Sequence, residues 1–412
     1  MSKEFESGTS NLRVLNAISL NLRNLPKAFS WSAFFSGSLV VLITSTGPIA
    51  LLFQAAAAGQ FTEDQLSSWL LTVFVGSGLF GLFLTLRHGM PIIGAWAAAT
   101  TALLVTGFTE HSYSEVIGAY IISSLALILV GITGIFGKLI SLIPRPVVMA
   151  MLGGVLFKFG VEVFSSIKTD ALLGIGMILI YFVAKRYKLR APVIPALVIG
   201  LAISIFEKEL VNPRINASIT APIWVTPEFT FGSILTLSLP IFLLVMTTQN
   251  ATGTAVLISS GYKAPVNNIV TTGGVISLIS APFGNSGVNI SAMTAAIATQ
   301  EDADPDPKTR YFAGVSCGIF YVVTGLFGAA ITDLYGTLPK EFLAVLAGLA
   351  LIPVIGSSTN EALENTEFRE SGLVALLITI SGISAFGLGS PFWGLIGGVL
   401  VHKIMNRRIL FR

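Results

Sequence analysis

Amide and hydroxyl side chains interrupt several long apolar stretches, and they are the residues best suited to bind a small solute. One stretch contains Gln249 and Asn250, and another contains Ser45, Thr46 and Gln54. Unpaired amides and hydroxyls are costly in hydrocarbon, so such side chains face the protein interior. There they could hold a carboxylate or a ring heteroatom, or they could join neighbouring helices.

Two glycine-rich stretches indicate helices that begin inside the membrane. Residues 89–94 precede small residues up to Leu104, and residues 282–288 precede the stretch from Asn289 to Thr299. Each predicts an extended piece that leads into a short helix. The free N–H groups and partial positive charge of a helix N-terminus suit an anion. Two such termini near the midplane would bind an anion without Arg or Lys, although glycine-rich packing helices would give the same pattern.

The predicted binding site combines these two sets of residues. Trp96 is expected to open the first half-helix, where its ring could stack on an aromatic solute or simply pack. The candidate residues at the two half-helices are Trp96, Ala97, Ala98, Thr100, Asn285, Gly287, Asn289 and Ser291. With them go the polar residues of the apolar stretches, namely Ser45, Thr46, Gln54, Gln249 and Asn250.

Lys158 and Glu162 are two charges inside a further apolar stretch, and their i, i+4 spacing places them on one helix face. At 1.5 Å per residue, Lys158 lies about 18 Å beyond Pro146, past the midplane. We expect a salt bridge at the outer interface. The alternative is a functional pair, in which Lys158 attracts an anion and Glu162 carries a proton.

The sequence lacks the residue patterns that common enzyme, metal and nucleic-acid sites require. Phosphate-loop, H-E-x-x-H and catalytic-triad patterns are absent, and Cys317 is the single cysteine beside three histidines without ligand-like spacing. A formal charge of +3 without a basic tract gives no basis for nucleic-acid binding. We therefore predict a protein that is not an enzyme and that has no catalytic residues, metal site or cofactor.

The elements that must position the candidate residues are membrane helices. Of the 412 residues 53% are hydrophobic and 11% charged, whereas soluble domains carry about 25% charged residues. Charge-free stretches predict about 14 segments, some of half length, in an all-α polytopic protein of the lipid bilayer. Lys and Arg concentrate in alternate loops, which predicts a bacterial inner-membrane protein with both termini in the cytoplasm.

The chain divides into two similar halves. Residues 143–153 resemble residues 338–348, and residues 94–102 resemble residues 287–295. Each half holds about seven segments, an odd number, so the second half would enter the membrane from the opposite side. The predicted boundaries are a cytoplasmic segment at 1–27, a first repeat at 28–207, an extracytoplasmic loop at 208–231, a second repeat at 232–405 and a cytoplasmic tail at 406–412.

A series of short motifs runs in order along nearly the whole chain. It comprises Phe53-Gln54-Ala55-Ala56, Ser68-Trp69, Ala95-Trp96, Leu239-Pro240, Gln249-Asn250, Ser260-Gly261-Tyr262, Ala281-Pro282-Phe283-Gly284, Arg310-Tyr311 and Ala347-Gly348-Leu349. In these motifs the chain resembles the BenE-type benzoate:proton symporter family. The family usually has Ser-Thr-Pro-Gly after the Trp of the first half-helix, where this chain has Ala97-Ala98-Ala99-Thr100. Two hydroxyls beside the expected carboxylate are thus missing.

The resemblance implies the fold of uracil and sulfate permeases, with seven plus seven segments, a core domain and a gate domain. It places the substrate between the third and tenth half-helices and implies proton-coupled uptake of benzoate or a similar aromatic carboxylate. Apart from the resemblance, a homodimer is one option for assembly. The alternatives are a carrier of another organic anion, a nucleobase or inorganic-anion permease of this fold, and an uncoupled anion channel. A nucleobase permease would be expected to have acids where Gln249 and Asn289 stand.

Overall fold

The helices of the protein end where the sequence breaks its apolar runs with glycine, proline and polar residues. The computed structural model describes residues 2–142, 144–189, 191–208, 218–291 and 294–405, without the side chains of residues 2–13 and 142. Residues 209–217 of the predicted loop and the predicted tail 406–412 therefore lie outside the described residues.

Besides a 3-10 turn at Ser166–Lys168, the first half contains ten α-helices and one short strand within the described residues. They are α1 (Ser2–Ala28), α2 (Trp31–Thr44), α3 (Gly47–Ala58), α4 (Glu63–His88), β1 (Gly94–Ala95), α5 (Ala98–Glu110), α6 (Tyr113–Thr133), α7 (Phe136–Leu142), α8 (Arg145–Ser165), α9 (Ala171–Arg186) and α10 (Val193–Phe206). Capping boxes fix two of the starts, because Thr62 pairs with Gln65 before α4 and Ser112 pairs with Glu115 before α6.

The second half repeats this plan. It contains α11 (Phe231–Ser233), α12 (Leu239–Leu244), α13 (Ala251–Ser259), α14 (Val266–Ser280), β2 (Asn289–Ile290), α15 (Ala295–Thr299), α16 (Tyr311–Leu326), α17 (Gly328–Gly336), α18 (Lys340–Glu364), α19 (Arg369–Ile380) and α20 (Ser390–Met405). The π-helical turns Ile234–Ser238 and Val245–Asn250 join α11, α12 and α13 into one composite helix, Phe231–Ser259.

Seven of the described helices are long and apolar enough to cross a membrane. The pair α16 and α17 makes an eighth span that is bent by 68°. The remaining segments are shorter or interrupted, as expected for half-helices. Taken in chain order, with α7 and α17 counted as parts of neighbouring segments, the helices agree with the predicted all-α seven-plus-seven arrangement.

The helices pack in two groups. In one group, α8, α9 and α10 pack against α18, α19 and α20. In the other, α2 and α4 pack against α16, while α6 packs against α14 and α3 packs against α5. We call the first group the gate group and the second the core group. The contact of α3 with α18 is the broadest one between them.

Large apolar side chains remain exposed along the outside of the spans. Leu129 and Ile132 on α6 are 62% and 71% exposed, and Leu179 on α9 and Ile279 on α14 are similarly exposed. A water-soluble protein rarely leaves such faces uncovered. Their distribution along membrane-length helices makes this a multi-pass membrane protein.

The two half-helices begin at later residues than predicted. Trp96 does not open the first half-helix, because α5 begins at Ala98, and the second half-helix begins at Ala295 rather than near Asn289. Pairing of β1 with β2 holds the preceding residues extended. Gly94 begins β1 and Asn289 begins β2, so these two residues occupy equivalent positions in the two halves. The sequence match of residues 94–102 with residues 287–295 was therefore misaligned by about two residues.

Candidate functional site

Two short antiparallel strands cross in the interior of the core group and join the two half-helices. Gly94 pairs with Ile290 and Ala95 pairs with Asn289, and Ser291 N donates to Ile93 O at 2.8 Å. Because α5 follows β1 and α15 follows β2 within a few residues, both half-helices start beside this crossing. The prediction that the two broken segments meet is therefore confirmed.

Glycines allow the neighbouring helices to approach the crossing. A Cβ on Gly94 would collide with the carbonyl oxygen of Ser77 on α4. A Cβ on Gly253 of α13 would lie 2.9 Å from Ile290 Cγ2 and 3.0 Å from Ser291 O. The crossing is thus closely held between α4 on one side and the composite helix on the other.

Asn289 is the polar side chain that the crossing leaves unpaired. Val288 and Ile290 belong to a small apolar cluster with Phe80, so strand alternation turns Asn289 toward the opposite face. The residue is 1% exposed, and neither Nδ2 nor Oδ1 has a hydrogen-bond partner within the described part of the chain. A buried polar group of this kind requires a water molecule or a ligand.

The N-terminus of α5 offers unpaired backbone donors beside the crossing. The first N–H with an intrahelical partner is that of Thr101, which donates to Ala97 O at 3.1 Å. Ala97 is the N-cap and cannot cap with its side chain, so the N–H groups of Ala98, Ala99 and Thr100 stay available. The Thr100 hydroxyl donates to Ala97 O at 2.8 Å, so Thr100 offers chiefly its backbone N–H.

The start of α15 is not equivalent to the start of α5. Ser291 Oγ accepts a hydrogen bond from Thr294 N at 3.2 Å and lies 2.6 Å from Thr294 Oγ1. Ser291 therefore serves the local turn, and α15 has only five residues. The geometry favours α5 as the main anion-binding terminus, whereas the sequence had suggested two equal ones.

An aromatic cluster closes the same region. The Trp96 ring lies 4.8 Å from Phe74 and 6.1 Å from Tyr321 between ring centroids, and Trp96 is 5% exposed. Tyr321 is held in turn by a 2.9 Å hydrogen bond between its hydroxyl and Thr44 Oγ1. Trp96 Nε1 has no partner among the described residues. The indole thus provides both an apolar face and a free donor.

Gln249 and Asn250 lie in the π-helical turn Val245–Asn250, which packs against β2. Asn250 is 2% exposed, and its Oδ1 has no partner in the described structure, whereas Gln249 is half-buried. A π-helical turn redirects side chains and often marks a functional site. The structure therefore places the turn that carries these two amides beside the strand that carries Asn289.

Asn285 and Gly287 have structural contacts. Asn285 Nδ2 donates to Thr72 O at 3.0 Å, and Asn285 Oδ1 accepts from Gly287 N at 2.9 Å. Both ends of the Asn285 amide are thus occupied within the protein, and Gly287 has a φ of +111°. These contacts favour a role in shaping the approach to β2 over direct contact with a solute.

Ser45 and Thr46 form the break between α2 and α3, beside a cavity of about 900 Å³. Thr46 Oγ1 donates to Ile43 O at 2.8 Å, while Ser45 Oγ has no partner in the described region. The cavity is lined by Phe35, Ser38, Leu39, Val41, Leu42, Ser45, Thr46, Ile49, Leu197, Leu201, Phe320, Thr324, Ile331, Leu334, Tyr335, Thr337 and Leu338. This lining is mostly apolar and suits a carboxylate poorly. Gln54 is half-buried on α3, which packs against α5.

Lys158 and Glu162 lie apart from the crossing, on α8 of the gate group. Their Nζ and Oε1 atoms are 3.9 Å apart, and the side chains are 64% and 36% exposed. The geometry matches the expected i, i+4 salt bridge. Partial exposure makes such a pair weak.

One polar cluster escaped the sequence reasoning. His111 Nε2 lies 2.7 Å from Thr236 Oγ1, and Glu115 Oε1 accepts from Thr230 Oγ1 at 2.8 Å. The three histidines lack the spacing of metal ligands, so the sequence predicted no functional role for His111. The available signal was the i, i+4 spacing of His111 and Glu115 around the capping residue Ser112.

A seven-plus-seven arrangement of membrane helices, with buried unpaired amides beside the paired strands that precede two half-helices, indicates a membrane transporter. The sequence matches the family described as BenE, benzoate membrane transport protein, over residues 27–404. The chain belongs to this family. Its members are membrane transport proteins and not enzymes.

Two relatives cover nearly the whole chain. The inner membrane protein YdcO of Escherichia coli (strain K12) is 38% identical over 371 residues, which are 90% of this chain and 95% of the relative. The benzoate membrane transport protein of Acinetobacter baylyi is 36% identical over 384 residues, which are 93% of this chain and 98% of the relative.

Solved transporters share the fold. The transmembrane domain of the cyanobacterial bicarbonate transporter BicA superposes with a TM-score of 0.60 at 16% identity, covering 91% of this chain and 96% of that one. Murine Slc26a9, an anion transporter in the inward-facing state, gives a TM-score of 0.61 at 14% identity, covering 93% of this chain and 70% of that one. At these identities the likeness concerns the fold alone, and it confirms the seven-plus-seven inverted repeat.

Proposed function

We propose that the protein is a secondary active transporter that takes up benzoate, or a similar aromatic carboxylate, together with protons. The observation that carries the proposal is the buried Asn289 amide, unpaired beside the uncapped N-terminus of α5. Buried hydrogen-bond donors without a partner require an acceptor, and the acceptor that a helix N-terminus favours is an anion.

The carboxylate would accept hydrogen bonds from the N–H groups of Ala98, Ala99 and Thr100 and from Asn289 Nδ2. A carboxylate has room for about four such bonds, and bonds to a charged acceptor are stronger than neutral ones. Backbone donors also replace the two hydroxyls that the usual family sequence carries after the Trp. The aromatic ring of the solute would pack against Trp96, whose own neighbours are aromatic.

The relatives support this substrate class. The Acinetobacter baylyi relative is named a benzoate membrane transport protein, and its 36% identity spans nearly both chains. The Escherichia coli relative is named an inner membrane protein. We place the protein in the bacterial inner membrane, and the distribution of Lys and Arg supports cytoplasmic termini.

The test is uptake of radiolabelled benzoate into proteoliposomes. A pH gradient, acid outside, should drive accumulation above the external concentration, and a protonophore should abolish it. Empty liposomes control for passive entry of the undissociated acid, which is membrane-permeable. The proposal fails if protein and empty liposomes take up benzoate at the same rate. Equal uptake with and without the gradient would instead leave a uniporter.

An inorganic anion is the second candidate, because the α5 terminus offers backbone donors that do not distinguish an aromatic acid from a smaller anion. The aromatic cluster at Trp96 favours the aromatic acid. Competition separates the two: bicarbonate or sulfate should fail to inhibit benzoate uptake, while ring-substituted benzoates should inhibit it. Strong inhibition by the inorganic anions would favour the second candidate.

A further inference from the structure

The contacts of His111 favour one tautomer of its neutral ring. Thr236 Oγ1 donates its hydrogen to Gly232 O at 2.8 Å. The same oxygen lies 2.7 Å from His111 Nε2, and with its hydrogen directed to Gly232 O it accepts there, which makes Nε2 the donor. In the neutral imidazole, Nδ1 is then a bare acceptor.

His111 Nδ1 faces a carboxylate. Glu115 Oε2 lies 3.9 Å away. Glu115 is held in place, because Oε2 accepts from Ser112 N at 2.9 Å and Oε1 accepts from Thr230 Oγ1 at 2.8 Å. Two acceptors therefore oppose each other when the imidazole is neutral. A proton on Nδ1 converts this opposition into a charge-assisted attraction.

A loop of the gate group lies next to this cluster. A Cβ on Gly232 would lie 3.5 Å from His111 Cε1 and 3.7 Å from Gly387 O, and one on Gly389 would lie 2.7 Å from Glu110 Oε2. In the loop between α19 and α20, residues 381–389, Gly387 thus lies beside the start of the composite helix and Gly389 beside the end of α5. This loop contains no titratable residue.

The nearby titratable groups besides Glu115 are Glu110, Tyr113 and Glu228. Glu110 precedes His111 on α5, and Tyr113 follows it at the start of α6. Glu228 lies on the chain that leads to the composite helix, where its N–H donates to Ser114 O at 2.9 Å. His111 is the one histidine in this set, and a histidine ring can hold a proton on each of its two nitrogens.

We propose that His111 and Glu115 form a proton-binding site. When Nδ1 is protonated, His111 bridges Thr236 and Glu115 and fastens the end of α5 to α6 and to the composite helix. This stiffens the surface beside which the gate loop 381–389 lies. Its link to uptake rests on the proposed function, because only a proton-coupled carrier would use such a site during transport.

Hydrogen exchange measured by mass spectrometry tests the site without any substrate. In the full-length protein in nanodiscs, amides near residues 230–236 and 381–389 should exchange about two- to fivefold more slowly at about pH 5.5 than at pH 7.5, after correction for intrinsic rates. His111→Gln keeps a donor for Thr236 but cannot gain a proton, so this response should vanish. Glu115→Gln should also abolish it, and His88→Gln, on α4, should retain it.

A wild-type response that persists in both His111→Gln and Glu115→Gln would overturn the proposal. Glu115→Gln keeps the test decisive if His111→Gln does not fold. Benzoate uptake at several external pH values is the second arm, and His111→Gln should flatten the wild-type profile. Loss of the exchange response with an unchanged uptake profile would overturn the link to transport, whereas absence of uptake by the wild type would reject the proposed function and not the proton site.

Discussion

Replacing Asn289 by leucine separates a binding role from a structural one. Leucine keeps the approximate shape of the side chain and removes both polar atoms, which have no partner within the described residues. A hydrogen bond to a charged acceptor contributes about 1.5–3 kcal/mol. We therefore expect Asn289→Leu to weaken benzoate binding by about 10- to 150-fold, since about 1.4 kcal/mol corresponds to a factor of ten.

Stability should move in the other direction. An unsatisfied buried polar group costs about 1–3 kcal/mol, so the substrate-free Asn289→Leu protein should be at least as stable as the wild type. Asn285 is the matched control, because it lies four residues away and both ends of its amide are bonded. Asn285→Leu should lose about 1–3 kcal/mol of stability.

The assays are equilibrium binding of labelled benzoate to the purified protein and thermal unfolding without ligand. Wild-type affinity in Asn289→Leu would refute the placement of the carboxylate at the strand crossing. A loss of stability as large as that of Asn285→Leu would show that the Asn289 amide has a structural partner after all. Either result would leave the anion site to be sought elsewhere.

Three further predictions concern the crossing, the gate group and the loop between α15 and α16. Gly94→Ala should abolish transport and lower the thermal midpoint, because the new Cβ meets a carbonyl of α4, whereas Gly356→Ala, with open space around it, should be tolerated in both assays. Lys158→Met should change stability by less than about 1 kcal/mol, and a double-mutant cycle with Glu162→Gln should give an equally small coupling, since both side chains are partly exposed; a larger coupling would contradict the weak-pair interpretation. Burial raises the pKa of Asp304, but hydrogen bonds and a nearby arginine outweigh burial and hold that pKa below its ordinary value. The ionised Asp304 side chain should therefore stabilise the fold above the ordinary aspartate pKa, and this stabilisation should be lost as the pH falls through the lowered pKa. Thermal unfolding of Asp304→Asn should lack this loss of stability in acid.

The sequence predicted the segments well because their signals are local. Charge-free runs of membrane length identify spans without any tertiary information. Glycine and proline at residues 281–284 and 387–391 coincide with the end of α14 and the start of α20. The inverted plan of the halves also followed from sequence, since an odd number of segments per half leaves no other arrangement.

The register of the half-helices was beyond local reasoning. Asn289 and Ile290 are extended because they pair with Gly94 and Ala95, nearly two hundred residues away. No propensity near Asn289 carries that information, and the alanines after Trp96 suit a helix from the first residue. Strand pairing of this kind is a tertiary override of local preference.

The site residues divide by what their neighbours do. Asn285 and Asn289 look alike in sequence, yet one has both amide ends bonded and the other has neither end bonded in the described structure. Similarly, Ser291 and Thr100 direct their hydroxyls to the backbone. A buried polar side chain either bonds within the protein or remains available to a solute. Which of the two applies depends on partners from other elements, and these partners are known only from the assembled fold.

A density map of the protein with bound benzoate tests the central claim most directly. The account predicts the carboxylate within hydrogen-bond distance of the backbone N–H groups at the start of α5 and of Asn289 Nδ2, with the ring against Trp96. Benzoate density in the apolar cavity beside Ser45 and Tyr335, with the strand crossing empty, would contradict it.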